Sequence, residues 1–286
     1  MRIHDKLVKS ADGTVLYAQA AGDPSKPALV CVHGFAGTSY SFQKQFADPH
    51  LLRHVHLIAY DLRGNGRSDK PEKPEAYEGK PFAEDFRAVC EAFGVARPFF
   101  LGWSLGAILL LDILNDLPPG YIRGAIYSGG PVPTRPIHAT YMSDWLARTL
   151  APVLHPEVAI ASAAAVEFLD GCFARPREVT TYEERARWLG EILLAPPQTR
   201  VMTEAKTRER DTSKYLERVR DVPLLVFQGT ADVMVDPPKL EATLKTIFAD
   251  KPDFEFEWFE GVGHCPAWER TREHDQKVVR FIQRYT

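Results

Sequence analysis

Ser104 lies between two glycines in Gly102-Trp103-Ser104-Leu105-Gly106. The apolar run Pro98-Phe99-Phe100-Leu101 before it reads as a buried strand, and residues 107–114 after it read as a buried helix. A serine at so tight a strand-to-helix turn is a nucleophile elbow. The turn strains the serine backbone and pushes its hydroxyl into the open, and a side chain at either glycine would collide with a neighbouring element. A serine hydroxyl is a weak nucleophile at neutral pH, so it needs a base to take its proton and a carboxylate to orient that base. Two strand ends offer them. The run 254–259 leads into Gly263-His264-Cys265, and the run 223–227 leads into Gly229-Thr230-Ala231-Asp232. Asp232 would accept from one imidazole nitrogen of His264 and fix the tautomer, while the other nitrogen takes the Ser104 proton. An oxyanion forming on the substrate needs N–H donors. The amide of Leu105, at a helix start, is one. The amide of Phe35, in the turn His33-Gly34-Phe35-Ala36-Gly37, is the second.

The remaining polar groups read as structural. His33 ends a strand beside a glycine and shapes the turn near the nucleophile. His54 and His56 read as neighbours on one face of a strand, with no third ligand at usual spacing, so no metal site is expected. Asp236 precedes Pro237-Pro238 and reads as the cap of the next helix. Cys265 reads as a small buried residue. Gly64-Asn65-Gly66 has no strand–GxGxxG–helix frame around it, so no nucleotide or other cofactor is expected.

These groups need a rigid frame. Residues 28–32, 55–60, 122–127 and 223–227 are short continuous apolar runs, which suits strands buried on both faces of a parallel sheet. Residues 14–21 alternate like an antiparallel edge strand. Between Lys80 and Val95, Phe82, Phe86, Val89, Cys90 and Phe93 share a helical face, and the chain closes on a helix carrying Val278, Phe281, Ile282 and Tyr285. The alternation predicts an α/β fold with a mostly parallel central sheet flanked by helices. From 131 to 219 the rhythm breaks. Prolines at 131, 133 and 136 open a stretch without a convincing strand, with helical patterns near 141–150, 157–169 and 183–194. The expected organisation is a core of residues 1–130 and 220–286 with a helical cap or lid inserted at 131–219. Among the insertion's large residues, Tyr141, Trp145 and Trp188 are expected to line a pocket beneath it, together with Trp103 of the elbow.

Bulk properties narrow the partners. The 286 residues are 45% hydrophobic and 26% charged, with a net charge of −3. No basic block favours nucleic acid, and no apolar run is long enough to span a bilayer. No secretory leader is read at the start, and the four cysteines are widely spaced, so a cytoplasmic protein with free thiols is expected. The partner expected is a small molecule; oligomeric state is not legible.

The chain resembles the α/β-hydrolase superfamily. The matching segments are His33-Gly34-Phe35, Asp61-Leu62-Arg63-Gly64-Asn65-Gly66-Arg67-Ser68-Asp69, the elbow, Gly229-Thr230-Ala231-Asp232 and Gly263-His264. The chain order Ser104, Asp232, His264 is that family's order. Some relatives carry the acid after the preceding strand; here that position reads Ser128-Gly129-Gly130, which favours Asp232. Ala107 departs from the third glycine many relatives carry. Relatives that open epoxides or displace halide use an aspartate nucleophile, and Ser104 argues against both. The serine branch implied by the resemblance includes esterases, lactonases, C–C bond hydrolases and cofactor-free perhydrolases of the haloperoxidase kind. An elbow with tryptophan and leucine is similar to that of small methyl esterases. The leading expectation is a carboxylic ester hydrolase acting through an acyl-enzyme on a small or medium, mostly apolar ester or lactone. C–C or perhydrolase chemistry on the same triad, or a non-catalytic ligand receptor of the same fold, are the alternatives.

Overall fold

The computed structural model describes residues 2–131, 133–206 and 212–286. Its centre is one eight-stranded sheet in the order β1-β2-β4-β3-β5-β6-β7-β8. These are β1 (His4–Lys9), β2 (Val15–Ala21), β3 (Ala28–Val32), β4 (His56–Tyr60), β5 (Phe99–Trp103), β6 (Gly124–Ser128), β7 (Leu224–Gly229) and β8 (Phe254–Phe259). The strands from β4 through β3 to β8 run parallel, while β2 is antiparallel to both β1 and β4. Every residue of β4, β5, β6 and β7 is buried, as continuous apolar runs require. One expectation is corrected: β2 is antiparallel but is not the edge. β1 covers its outer side, although His4-Asp5-Lys6-Leu7-Val8-Lys9 buries only Val8. Such a strand exists through ladder pairing with β2 rather than through its own apolar pattern.

Alternate strand residues feed opposite cores. Val30 and Val32 of β3 join one, with Phe86 and Val89 of α1 (Gly79–Ala92) and Leu110 and Ile113 of α2 (Leu109–Asp116). Leu29 and Cys31 join the other, with Phe46 and, from the C-terminal helix 271–284, Phe281 and Ile282. Phe281 meets Phe99 edge to face at 6.2 Å.

Between β6 and β7 the described residues form no strand of the sheet. They build α3 (Asp144–Val153), α4 (Val158–Gly171), α5 (Tyr182–Leu194) and α6 (Pro197–Lys206). Ser143 caps α3 by accepting from the Leu146 amide at 3.1 Å. Thr181 and Glu184 form a reciprocal capping box on α5. The short polar α6, Pro197-Gln198-Thr199-Arg200-Val201-Met202-Thr203-Glu204-Ala205-Lys206, lacks an apolar stripe and was not legible in the sequence. After β7, α7 (Pro237–Ile247) starts at Asp236, whose carboxylate accepts from the Lys239 amide at 3.1 Å. The chain ends on α8 (Thr271–Arg284).

The Asp61–Asp69 segment is a knot of buried polar bonds. The fully buried Arg63 guanidinium donates to both oxygens of the fully buried Asp85, at 2.7 and 2.6 Å, and to Asp12 at 2.7 Å. Asp61 accepts from the Ser39 amide at 2.7 Å and the Arg67 amide at 2.9 Å. These bonds fix the loops at the strand ends where the site lies.

Candidate active site

Ser104 follows β5 with φ at +52°, a left-handed conformation that side chains rarely adopt. It then opens a tight helical turn, 104–108, leading into α2. A Cβ at Gly102 would lie 2.6 Å from the Ala107 Cα, and one at Gly106 would lie 2.5 Å from the carbonyl oxygens of Val32 and His33. Both glycines are therefore demanded by space, and the strain at Ser104 is held by packing on both sides.

Three distant side chains meet here. His264 Nε2 is 2.8 Å from Ser104 Oγ, and His264 Nδ1 is 2.8 Å from Asp232 Oδ2. An ionised Asp232 only accepts, so Nδ1 carries the proton and Nε2 is free to accept from the serine hydroxyl. His264 and Asp232 are both buried. Asp232 is anchored further: Oδ1 accepts from the Met234 amide at 2.8 Å and Oδ2 from Gln228 Nε2 at 2.8 Å.

Sequence reasoning missed Gln228. Its Oε1 accepts from the Gly130 amide at 2.7 Å, so it joins the carboxylate to the β6 turn. That turn explains the diglycine. A Cβ on Gly129 would lie 1.9 Å from the His264 carbonyl oxygen, and one on Gly130 would lie 2.3 Å from His264 Cε1. Both glycines also have positive φ. Gly130→Ala is expected to push the imidazole aside and lower kcat/KM by about a hundredfold, since misplacement by an ångström costs roughly that. Steady-state kinetics beside a thermal melt checks it; full activity would mean that the ring is not held by this contact.

The base is steadied from two further sides. Trp103 Nε1 donates to the His264 carbonyl at 2.9 Å. Glu269 accepts from the Gly263 amide at 2.8 Å and from the Ala174 amide of the helical insertion at 3.0 Å. Cys265, beside the base, is fully enclosed, and burial pushes its thiol well above the usual range.

The β3 turn packs on the nucleophile. A Cβ at Gly34 would lie 3.2 Å from Ser104 Cβ. His33 Nε2 accepts from the Leu62 amide at 2.9 Å, so Nδ1 carries the proton and donates to the Gly34 carbonyl at 2.8 Å. Burial holds this imidazole below its ordinary pKa, in keeping with a neutral ring. Among the described residues, no backbone bond of the turns and loops has the Phe35 or Leu105 amide as its donor.

Ser104 and His264 open into a pocket lined by Phe35, Trp103, Phe168, Trp188, Glu191 and Ile192. Its free volume is about 20 Å³, room for roughly one water. Phe35 meets Phe168 at 5.7 Å and Trp103 meets Trp188 at 5.4 Å, both edge to face. Outside it lies a cleft of about 880 Å³, lined by Tyr40, Lys44, Arg67, Arg187 and, again, Glu191.

Trp103 and Trp188 thus reach the pocket; Tyr141 and Trp145 do not. Tyr141 is fully buried, donates to the Pro131 carbonyl at 2.8 Å and packs in the core beneath the insertion. Trp145 is spent on packing α3 against α4, where a Cβ on Gly171 would lie 2.2 Å from its ring. The lining residues not read from the sequence share helical faces with their neighbours: Glu191 and Ile192 beside Trp188 on α5, and Phe168, Leu169 and Cys172 at the end of α4. His54 and His56 also part company. His54 ends the short helix 49–54, and only His56 is in β4. Among the described residues no three His, Cys, Asp or Glu side chains gather as metal ligands.

A second Ser–His–Asp set provides contrast. Ser128 Oγ is 3.4 Å from His274 Nε2, and His274 Nδ1 is 2.9 Å from Asp275. All three are fully buried within the core, so no substrate reaches them.

Glu191 is the unusual acid. Burial lifts its carboxyl to about 7, although Thr38 and Arg187 act in the opposite direction. In the unfolded chain it titrates at the ordinary value of 4.5. The folded state therefore binds more protons between these values, and stability falls as pH rises through that window. Glu191→Gln is expected to raise stability at pH 8 by on the order of 1–3 kcal/mol and to change little at pH 4. Denaturant melts at the two pH values check it.

The chain belongs to the alpha/beta hydrolase fold family, whose model matches residues 27–271. Among solved structures it is similar to a putative aryl esterase from Burkholderia cenocepacia, with a TM-score of 0.86, 27% identity and 99% of both chains covered. It is similar too to the esterase RhEst1 from Rhodococcus sp. ECU1013, with a TM-score of 0.85, 26% identity and both chains covered fully. Among curated proteins, it is 32% identical over 107 residues to Epoxide hydrolase A of Mycobacterium tuberculosis, which covers 37% of this chain and 32% of that one. Among the described residues no helix is long and apolar enough to cross a membrane.

Proposed function

We propose that the chain is a serine hydrolase that cleaves a small or medium, mostly apolar carboxylic ester or lactone through an acyl-enzyme. The observation that carries this is the unbroken relay from Ser104 Oγ through His264 to Asp232, with 2.8 Å at each link. Its two links match the geometry needed for general-base catalysis.

His264 takes the Ser104 proton as Oγ attacks the carbonyl, and the Phe35 and Leu105 amides stabilise the resulting oxyanion. The imidazolium, held against Asp232, gives that proton to the leaving alcohol. Water then enters, is deprotonated by the same nitrogen and releases the acid. The insertion 131–219 acts as a cap whose aromatic underside receives the apolar part of the substrate. The esterase descriptions of the two structures aligned over nearly the whole chain support an ester, and the serine at the elbow favours an ester over an epoxide.

A fluorophosphonate probe is expected to label Ser104, and an ester and lactone panel graded by acyl length is expected to show turnover. Labelling elsewhere would overturn the reading. The C–C hydrolase, perhydrolase and receptor alternatives draw no separate support; β-diketone cleavage and peroxide-dependent halogenation, assayed beside ester turnover, separate them.

A further inference from the structure

Glu191 occupies an unusual place. It lines both the outer cleft and the small pocket at Ser104. Its side chain is 11% exposed. Oε1 accepts from Arg187 Nε at 3.3 Å, one turn earlier on α5, and the carboxyl also accepts from the Thr38 hydroxyl. The other pocket walls are Phe35, Trp103, Phe168, Leu169, Cys172, Trp188 and Ile192 beside the small residues of the β3 turn. A carboxylate has about four lone-pair sites, so these bonds leave it able to accept from a bound molecule, and it stands among otherwise apolar walls beside Ser104 and His264.

We propose that Glu191 is a specificity-determining residue that accepts a hydrogen bond from a hydroxyl group on the substrate, so that the chain prefers hydroxylated esters to plain alkyl esters of the same length. This deepens the ester reading and rests on it. The donor is a neutral hydroxyl rather than an ammonium, because Lys44, Arg67 and Arg187 outnumber Asp61 among the charged walls of the approach to Glu191. Arg187 stacks on Tyr40 at 3.9 Å and stays beside the carboxyl, so a second cation would meet repulsion there. An apolar wall would accept both kinds of ester with little discrimination, whereas a wall that offers a buried acceptor favours the molecule that brings a donor to it.

The test uses the full chain and methyl hexanoate beside its 3-hydroxy and 6-hydroxy analogues, together with the 2-hydroxyethyl ester beside the propyl ester. At least one hydroxylated member is expected to exceed its plain partner in kcat/KM by on the order of tenfold or more, chiefly through KM. Glu191→Leu is expected to abolish that preference, while Glu191→Gln, whose amide oxygen still accepts, retains part of it. Fluorophosphonate labelling of Ser104 verifies that each variant keeps an assembled site, and Glu191→Ala replaces the leucine variant should that one fail to label. No preference in the wild type, or a preference that survives Glu191→Leu or Glu191→Ala, overturns the inference while leaving the ester reading standing. Absence of turnover across the whole panel overturns the ester reading, and this one with it.

Discussion

Ser104→Ala is expected to lower kcat for any ester the wild type turns over by on the order of a thousandfold or more. The size follows from what disappears. The variant has no nucleophile, so the acyl-enzyme cannot form and His264 has no alcohol to deprotonate. On the proposed mechanism, what remains is direct attack by water, assisted by the Phe35 and Leu105 amides and by binding. The alanine methyl fits where the serine Cβ already lies, but the +52° backbone stays strained. A melt measured beside the kinetics separates loss of chemistry from loss of fold. Wild-type turnover in this variant would remove Ser104 from the mechanism. Asp232→Asn should follow with a similar loss, because an amide in place of the carboxylate no longer fixes the His264 tautomer.

The second large effect concerns folding. Arg63→Leu is expected to destabilise the chain by about 3–5 kcal/mol. Arg63 and Asp85 are both fully enclosed and joined by two hydrogen bonds, so removing the guanidinium leaves the Asp85 carboxylate charged and unpaired in the core. Burial already pushes that carboxyl up, and Arg63 is the main force that pulls it down. The loss should be partly relieved by Asp85→Leu in the same chain, since an apolar pair of similar volume often matches a buried ion pair. Chemical denaturation of the two single variants and the double variant measures the coupling. Additive effects would show that the pair is not acting as a unit.

The fold was legible wherever a strand is buried on both faces. The runs at 28–32 and 55–60 declare themselves because nothing polar interrupts them, and the elbow declares itself through two glycines that space demands. β1 was not legible, since only one of its residues is buried and its structure comes from its neighbour. The same division runs through the site. Ser104, His264 and Asp232 each follow a strand at a recognisable turn. Gln228 could not be found that way, because its task depends on a carboxylate and an amide from other segments. Tyr141 and Trp145 show the limit of reading aromatic residues in a helical insertion: residue type says that a ring will be enclosed, and only the helix packing decides by what.

One carboxylate ties the loop of the base to the helical insertion. The two oxygens of Glu269 hold the backbone just before the base and the backbone at Ala174. Displacing the insertion at that point would strip one N–H from the acid that also holds the backbone just before the base.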